Sequence, residues 1–389
     1  MRRDPSPNLR IAILAHSTNP RGGVVHALEL ADALTRLGHE AVVHAPDAKG
    51  AGFFRPTRCG TVSVPASPVG TDIAEMVSIR IADYVNYFET PAHRRFDVFH
   101  AQDGISGNAL AVLKARGRIS GFARTVHHVD TFADPALMAL QRQAIIAADR
   151  HFVVSRLWQD LLFETFEARP TLVGNGVDRQ RFSPLPDGRE TALAAGLGVG
   201  TGPIVLSVGG VEARKNTLRI LEAFVALRAL HPSAQLVIAG GASVLDHQSY
   251  QQLFAAALQT SGLPDGAVVI TGPLPQADMP ALYRLAHALA FPSVTEGFGL
   301  VALEAMACGV PVVVSHILPF TEHIGADEAV WCDPTNSGSI ANALAAALDP
   351  SLAARLAAQG PVVAARHDWT ATARAHLAVY ESLAEPLHA

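Results

Sequence analysis

Glu296 and Glu304 carry the most chemical information in this sequence. They lie in the run Pro292-Ser293-Val294-Thr295-Glu296-Gly297-Phe298-Gly299-Leu300-Val301-Ala302-Leu303-Glu304-Ala305-Met306-Ala307-Cys308-Gly309-Val310-Pro311-Val312. Between Gly297 and Val314 the only charged residue is Glu304. Leu300, Leu303 and Ala307 recur at helical spacing, so a largely buried helix is expected there. A carboxylate inside such a helix is costly without hydrogen-bond donors, and the vicinal hydroxyls of a ribose would supply two. Glu296 precedes the helix in a loop after an apolar run, where it can point into a cleft. Gly297 and Gly299 let the backbone approach a ligand, and the helix N-terminus after Gly299 favours a phosphate.

Three further groups could complete such a site. Arg214-Lys215, in Val208-Gly209-Gly210-Val211-Glu212-Ala213-Arg214-Lys215-Asn216, could neutralise a diphosphate leaving group as its charge grows. The bland alternative is a solvated basic turn. The Gly22-Gly23 loop ahead of an early helical stretch offers amides to an anion, although a plain tight turn has the same signature. In Thr125-Val126-His127-His128-Val129-Asp130, a histidine at a strand end would also face a cleft, with His127 or His128 as the candidate by register. His100 and Asp103 are candidates on an acceptor side, and Ser155 has an equally good structural reading. Asn175-Gly176-Val177-Asp178 reads as turn architecture.

The elements that must position these groups form a repeating α/β pattern. Ile11–Ala15 reads as a buried parallel strand, and Val24, Leu28, Ala31, Leu34 and Leu37 mark a helix that Gly38 stops. Strands follow at 41–43, 97–100, 125–127 and 152–154, with a helix over 135–148. Residues 50–72, rich in Gly, Pro, Ser and Thr, read as irregular. The pattern restarts near residue 203: strands at 203–208, 236–239, 268–271, 288–292 and 310–314, a helix over 217–230, and helices through 338–389. The stretch 182–202 reads as a linker. The fold class is therefore α/β, with two Rossmann-like doubly wound domains facing across a cleft: an N-terminal, acceptor-side domain over 1–182, a C-terminal domain over 183–365, and a helical segment 366–389 that returns to brace the first domain. Open α/β sheets bind ligands at the carboxyl ends of their strands.

Bulk properties narrow the class. The chain has 389 residues, 49% hydrophobic and 17% charged, which describes globular domains with sizeable cores. A net charge of -5 gives no electrostatic reason to expect nucleic acid as a partner. Cys59, Cys308 and Cys332 are few and far apart, which argues against a disulfide framework or zinc cluster and fits a reducing, cytoplasmic setting. No uninterrupted apolar run is long enough to span a membrane, which leaves peripheral membrane contact through a surface helix open.

The run from Glu296 to Val313 resembles the signature of retaining glycosyltransferase family 4, of GT-B fold, also described as glycosyl transferases group 1. The resemblance extends from the Gly22-Gly23 loop to the C-terminal helices. It implies that Glu296 contacts hydroxyls of the transferred sugar and Glu304 binds the ribose of a nucleotide-diphosphate sugar, while the amides of Phe298, Gly299 and Leu300 approach the diphosphate and sugar. Arg214 and Lys215 match a variant of the family's basic pair, Gly22-Gly23 match its glycine loop, and His127 matches a histidine near the transferred sugar. Two departures stand out: the Arg often found where Gly210 stands is missing, and so is an Asp in the first part of 286–293.

The resemblance implies front-face transfer of a hexose-type sugar from a UDP, GDP or ADP donor to a small-molecule, lipid or glycan hydroxyl, the departing diphosphate taking the acceptor's proton. No Asp-x-Asp metal site appears in the cleft-forming motifs, so no metal or other cofactor is expected. A GT-B nucleotide-sugar epimerase and a catalytically silent nucleotide-sugar binder are the alternatives. The paired glutamates count against the first, and intact Glu296, Glu304 and Lys215 against the second.

Overall fold

The computed structural model describes residues 8–241 and 248–384. The chain divides into two compact units: residues up to Gly176 with those from Asp368 onward, and Val177–His367. The first boundary thus falls ahead of the expected 182, and the second falls two residues after 365, at His367.

In the first unit, β1 (Arg10–Leu14), α1 (Gly22–Arg36), β2 (Glu40–Asp47), β3 (Gly60–Pro65), α2 (Ile73–Glu89), β4 (Val98–Ala101), α3 (Gly104–Ala115), β5 (Ala123–Val126), α4 (Pro135–Ile146), β6 (Arg150–Val153), α5 (Arg156–Phe166) and β7 (Thr171–Leu172) follow one another. The strands form an all-parallel sheet in the order β3-β2-β1-β4-β5-β6-β7. β1 and β4 are buried along nearly their whole length, as strands covered on both faces must be. Chain order reverses between β1 and β4, which makes the carboxyl ends of these strands the natural ligand position.

The second unit contains α6 (Glu190–Leu197), β8 (Ile204–Val208), α7 (Thr217–Arg228), β9 (Gln235–Ala239), α8 (Gln248–Thr260), β10 (Val268–Gly272), α9 (Met279–Leu285), β11 (Ala288–Phe291), α10 (Leu300–Ala307), β12 (Val312–Ser315), α11 (Phe320–His323), β13 (Val330–Cys332), α12 (Ser337–Ala347) and α13 (Pro350–Ala364). Its parallel sheet runs β10-β9-β8-β11-β12-β13, with the reversal between β8 and β11. A core of Phe224, Leu236, Ile238, Val313 and Leu344 lies under one face of this sheet. α14 (Trp369–Ala384) groups with the first unit, where Trp369, Ala373, His376 and Tyr380 form its buried stripe against α1. A side chain at Gly176 would meet the backbone of Trp369 at 2.4 Å, so only glycine fits where these segments cross.

Three sequence expectations need correction. Residues 60–65, read as irregular, form β3; an edge strand with mostly exposed side chains and Gly60 and Pro65 at its ends lacks the buried apolar run that marks an interior strand. The expected linker 182–202 contains α6, a helix without a fully buried residue. It is held at its N-terminus by Arg284, which reaches Glu190 Oε1 at 2.5 Å and Asp187 Oδ1 at 2.9 Å. Gly22 and Gly23 form the first turn of α1 and not a loop ahead of it.

Candidate active site

In the second unit the candidate groups gather at the β8/β11 reversal. The loop after β8 is stitched to the end of β11 by two bonds: Asn216, in a left-handed conformation, donates its Nδ2 to the carbonyl of Pro292 at 3.0 Å, and Val294 N donates to the carbonyl of Arg214 at 3.0 Å. This brings Arg214 Nη1 to 2.7 Å and Lys215 Nζ to 2.5 Å from the same oxygen of Glu296. Lys215 also lies 4.3 Å from the centroid of the Phe291 ring. Burial alone would raise the pKa of Glu296, but Lys215 and Arg214 outweigh it and hold the carboxyl below its ordinary value. Burial pulls Lys215 below an ordinary lysine, with Glu296 opposing and Arg214 adding to the effect.

The glycines here have specific reasons. Gly209 has φ +127, and a Cβ on it would lie 2.7 Å from Lys215 Cε, in the path of the lysine. Gly210 has φ +77, and a Cβ would lie 2.9 Å from the carbonyl oxygen of Gly241. An arginine in this backbone conformation would be strained twice over. Gly299 has φ +95 and caps α10; a Cβ would meet the Phe320 ring at 2.5 Å. The Phe298 ring stacks on His323, with centroids 4.3 Å apart and planes 4° from parallel. Leu300 opens α10, so its amide belongs to the unsatisfied first turn.

Glu304 departs from the expectation of a fully buried carboxylate. It is half-buried on α10, and Tyr283 of α9 donates its hydroxyl to Oε2 at 2.7 Å. Tyr283 itself is fully buried, and burial followed by the Glu304 charge raises its pKa well above the ordinary value.

In the first unit the candidates lie at the ends of β1, β4 and β5. His127 follows β5 directly and is half-buried. Its Nε2 is 2.9 Å from Gln102 Oε1, and its ring meets His26 edge-on at 4.8 Å. A Cβ on Gly23 would be 3.5 Å from His127 Cδ2, so the first turn of α1 and this histidine are neighbours. No side chain caps that turn at Arg21, and the amides of Gly22 and Gly23 belong to its unsatisfied set. Burial, then the neighbouring His26, His128 and Arg124, push the pKa of His127 well below the ordinary imidazole value. His128 is exposed and pairs with Asp130 at 3.1 Å.

Of the two acceptor-side suggestions, His100 is corrected and Asp103 carries a structural bond. His100 is fully buried and bonded to Thr125 Oγ1 and Tyr380 OH, so it is part of the core. Asp103 caps α3 through the Ser106 amide. Ser155 stands buried at the N-cap of α5. Sequence reasoning missed Gln102, Tyr283 and Asn216. Gln102 could have been found as the polar residue that follows the strand end His100-Ala101; Tyr283 sits in an apolar stretch with no local signal.

A family model described as Glycosyltransferase Family 4 matches residues 20–181, and one described as Glycosyl transferases group 1 matches residues 190–362. A D-inositol 3-phosphate glycosyltransferase of Acidothermus cellulolyticus is 30% identical over 321 residues, 75% of this chain and 68% of the relative. The chain belongs to glycosyltransferase family 4. A second relative of this family 4 glycosyltransferase, the D-inositol 3-phosphate glycosyltransferase of Xylanimonas cellulosilytica, is 29% identical over 95% of this chain and 96% of its own length.

Among solved structures, sucrose-phosphate synthase from Thermosynechococcus elongatus matches with a TM-score of 0.78 and 22% identity, over 97% of this chain and 99% of that one. Anabaena HepE in complex with UDP and glucose matches with a TM-score of 0.75 and 18% identity, over 96% of this chain and 100% of that one. The fold of this family 4 glycosyltransferase is GT-B, built from its two parallel-sheet α/β domains. No described helix is long and apolar enough to cross a membrane.

Proposed function

We propose that this glycosyltransferase moves a hexose-type sugar from a nucleotide-diphosphate donor to an acceptor hydroxyl, with retention of anomeric configuration and without a metal. The observation that carries the proposal is the convergence of Arg214, Lys215 and Glu296 at the β8/β11 reversal, beside the start of the helix that bears Glu304.

Each group has a chemical task in this reading. Glu304, steadied on one oxygen by Tyr283, accepts hydrogen bonds from the ribose diol. The first-turn amides of α10 receive the diphosphate. Arg214, 39% exposed, meets the leaving phosphate, while Lys215 adds charge from a buried position. Glu296 keeps both cations in place before the donor arrives and offers its carboxylate to sugar hydroxyls. As the glycosidic bond breaks, negative charge builds on the diphosphate, and the cations stabilise that charge more than the ground state. The diphosphate takes the acceptor's proton. In the first unit, Gly22, Gly23 and His127 serve the phosphates and the sugar. The HepE complexes make the glucose conjugate of UDP the first donor to try, and the relatives' names make an inositol phosphate the first acceptor. The reading includes a cytoplasmic location, supported by three buried free thiols.

A thermal-shift titration with UDP, GDP and ADP in the presence of EDTA tests the proposal. Stabilisation by one diphosphate, lost in Glu304→Ala, is the expected result. No stabilisation by any of the three overturns the donor assignment.

A further inference from the structure

We infer that Gln102, backed by His100 and Tyr380, is a positioning residue that fixes the tautomer of His127, so that Nδ1 presents a lone pair to a hydroxyl of the transferred sugar. The inference rests on the proposed reading of His127 as a sugar-contacting group.

The Nε2 of His127 lies 2.9 Å from Gln102 Oε1. An amide oxygen only accepts, so Nε2 must carry the proton, and in the neutral ring Nδ1 is then the acceptor. Among the described residues Nδ1 makes no protein hydrogen bond. The ring is held on its other sides by the edge of His26, whose Nδ1 is anchored 2.7 Å from Asn175 Oδ1, and by Gly23.

What sets the Gln102 amide is therefore decisive, because oxygen and nitrogen could exchange places. The amide nitrogen lies 3.3 Å from His100 Nδ1 and 3.4 Å from His100 Nε2. Such similar distances place it over the ring face. Both ring nitrogens are already engaged in the plane, Nδ1 with Tyr380 OH at 2.6 Å and Nε2 with Thr125 Oγ1 at 2.8 Å. An N–H against the electron-rich face of a neutral ring is favourable and a carbonyl oxygen there is not, so the amide points its oxygen at His127. Burial, followed by the neighbouring His376, keeps His100 in the neutral form that this arrangement needs. The backbone of Gln102 is tied to β1 through Leu14 at 2.9 Å, and the residue is buried. The C-terminal helix thereby takes part in the site: Tyr380 of α14 orients His100, His100 orients Gln102, and Gln102 orients His127.

Nitrogen-15 NMR of histidine-labelled protein reads the tautomer directly, without any ligand. The wild type is expected to show His127 protonated at Nε2. Gln102→Met, which keeps length but removes the acceptor, should give a mixture of tautomers, and Gln102→Glu should restore the Nε2–H form. Tyr380→Phe, which leaves the ring in the core, should weaken the preference without abolishing the fold and serves if Gln102→Met does not fold. An unchanged tautomer in both Gln102→Met and Tyr380→Phe overturns the positioning role.

The second readout is hydrolytic turnover of the glucose conjugate of whichever of UDP, GDP or ADP stabilises the protein. Gln102→Met should lower kcat on the order of 10- to 100-fold, the effect of losing the partner that orients a functional imidazole, with KM for the donor within a few-fold. Gln102→Glu should recover activity and move the acid limb of the pH profile upward. A changed tautomer with unchanged kcat would leave the hydrogen-bond chain intact as a finding and overturn the assignment of His127 to the sugar.

Discussion

Lys215 Nζ lies 2.5 Å from Glu296 Oε1, with the two side chains only 9% and 8% exposed. A buried pair of this kind is costly to break from one side, because the remaining charge has no water to turn to. Glu296→Leu, which strands the buried lysine, should destabilise the protein by about 3–5 kcal/mol in urea unfolding, and Lys215→Met, which leaves Glu296 paired with Arg214, by less. The double variant Lys215→Met/Glu296→Leu should recover much of that loss while remaining inactive. If the double variant is as unstable as the sum of the singles, the pair is not an interacting unit.

The Tyr283–Glu304 bond gives a milder prediction. Tyr283→Phe removes one hydroxyl donor inside an otherwise unchanged ring and should cost about 1 kcal/mol of stability. Glu304 then loses its fixed orientation, and affinity for the stabilising nucleoside diphosphate should fall several-fold by calorimetry. Unaltered affinity would show that the carboxylate is oriented by other partners.

Stability should fall as the pH drops from neutral, through the buried histidines first. Burial pushes the pKa of His26 down to about 4 and that of His376 down to about 3, while both titrate near 6.5 when unfolded. The unfolded chain therefore binds more protons below pH 6.5, so the stability these residues carry is complete above 6.5 and is lost as the pH falls toward the folded values. For His26 the full loss is on the order of 3 kcal/mol. The depressed carboxyl of Glu296 acts in the same direction at lower pH: its contribution is present above its ordinary 4.5 and is lost as the pH falls through the folded value. Urea unfolding at pH 7.5, 6.5, 5.5 and 4.5 measures the slope, and His376→Leu should flatten it. A slope that is the same in that variant would remove His376 from the account.

Glycine substitutions separate backbone strain from helix propensity. Gly299→Ala forces a Cβ against the Phe320 ring at a positive φ and should cost about 2 kcal/mol or more. Gly22→Ala, in helical backbone with no atom within 4 Å of the added Cβ, should be neutral or stabilise by up to about 1 kcal/mol. Thermal unfolding of the two variants side by side checks both signs.

The alternation of apolar runs with helical periodicities was enough to read two α/β domains, because parallel strands buried on both faces appear as continuous runs such as Ile11–Ala15 and 203–208. Elements whose stability is tertiary escaped that reading. β3 is an edge strand supported by β2, and α6 is anchored by Arg284 from far along the chain. Helix propensity and apolar periodicity hold no record of either partner.

The candidate site divides along the same line. Residue type and spacing mark which groups are available: Glu296 and Glu304 stand in a run that packing alone does not explain, while Arg214, Lys215, Gly22, Gly23 and His127 have structural readings beside the functional one. How they are used follows from the packing of distant elements. It bound the two cations to Glu296, placed Tyr283 on Glu304, and set Gln102 against His127 with Tyr380 behind it. The reason is physical: a hydrogen bond between residues such as His100 and Tyr380 depends on where two separate elements come to rest, and that is settled by packing the whole core.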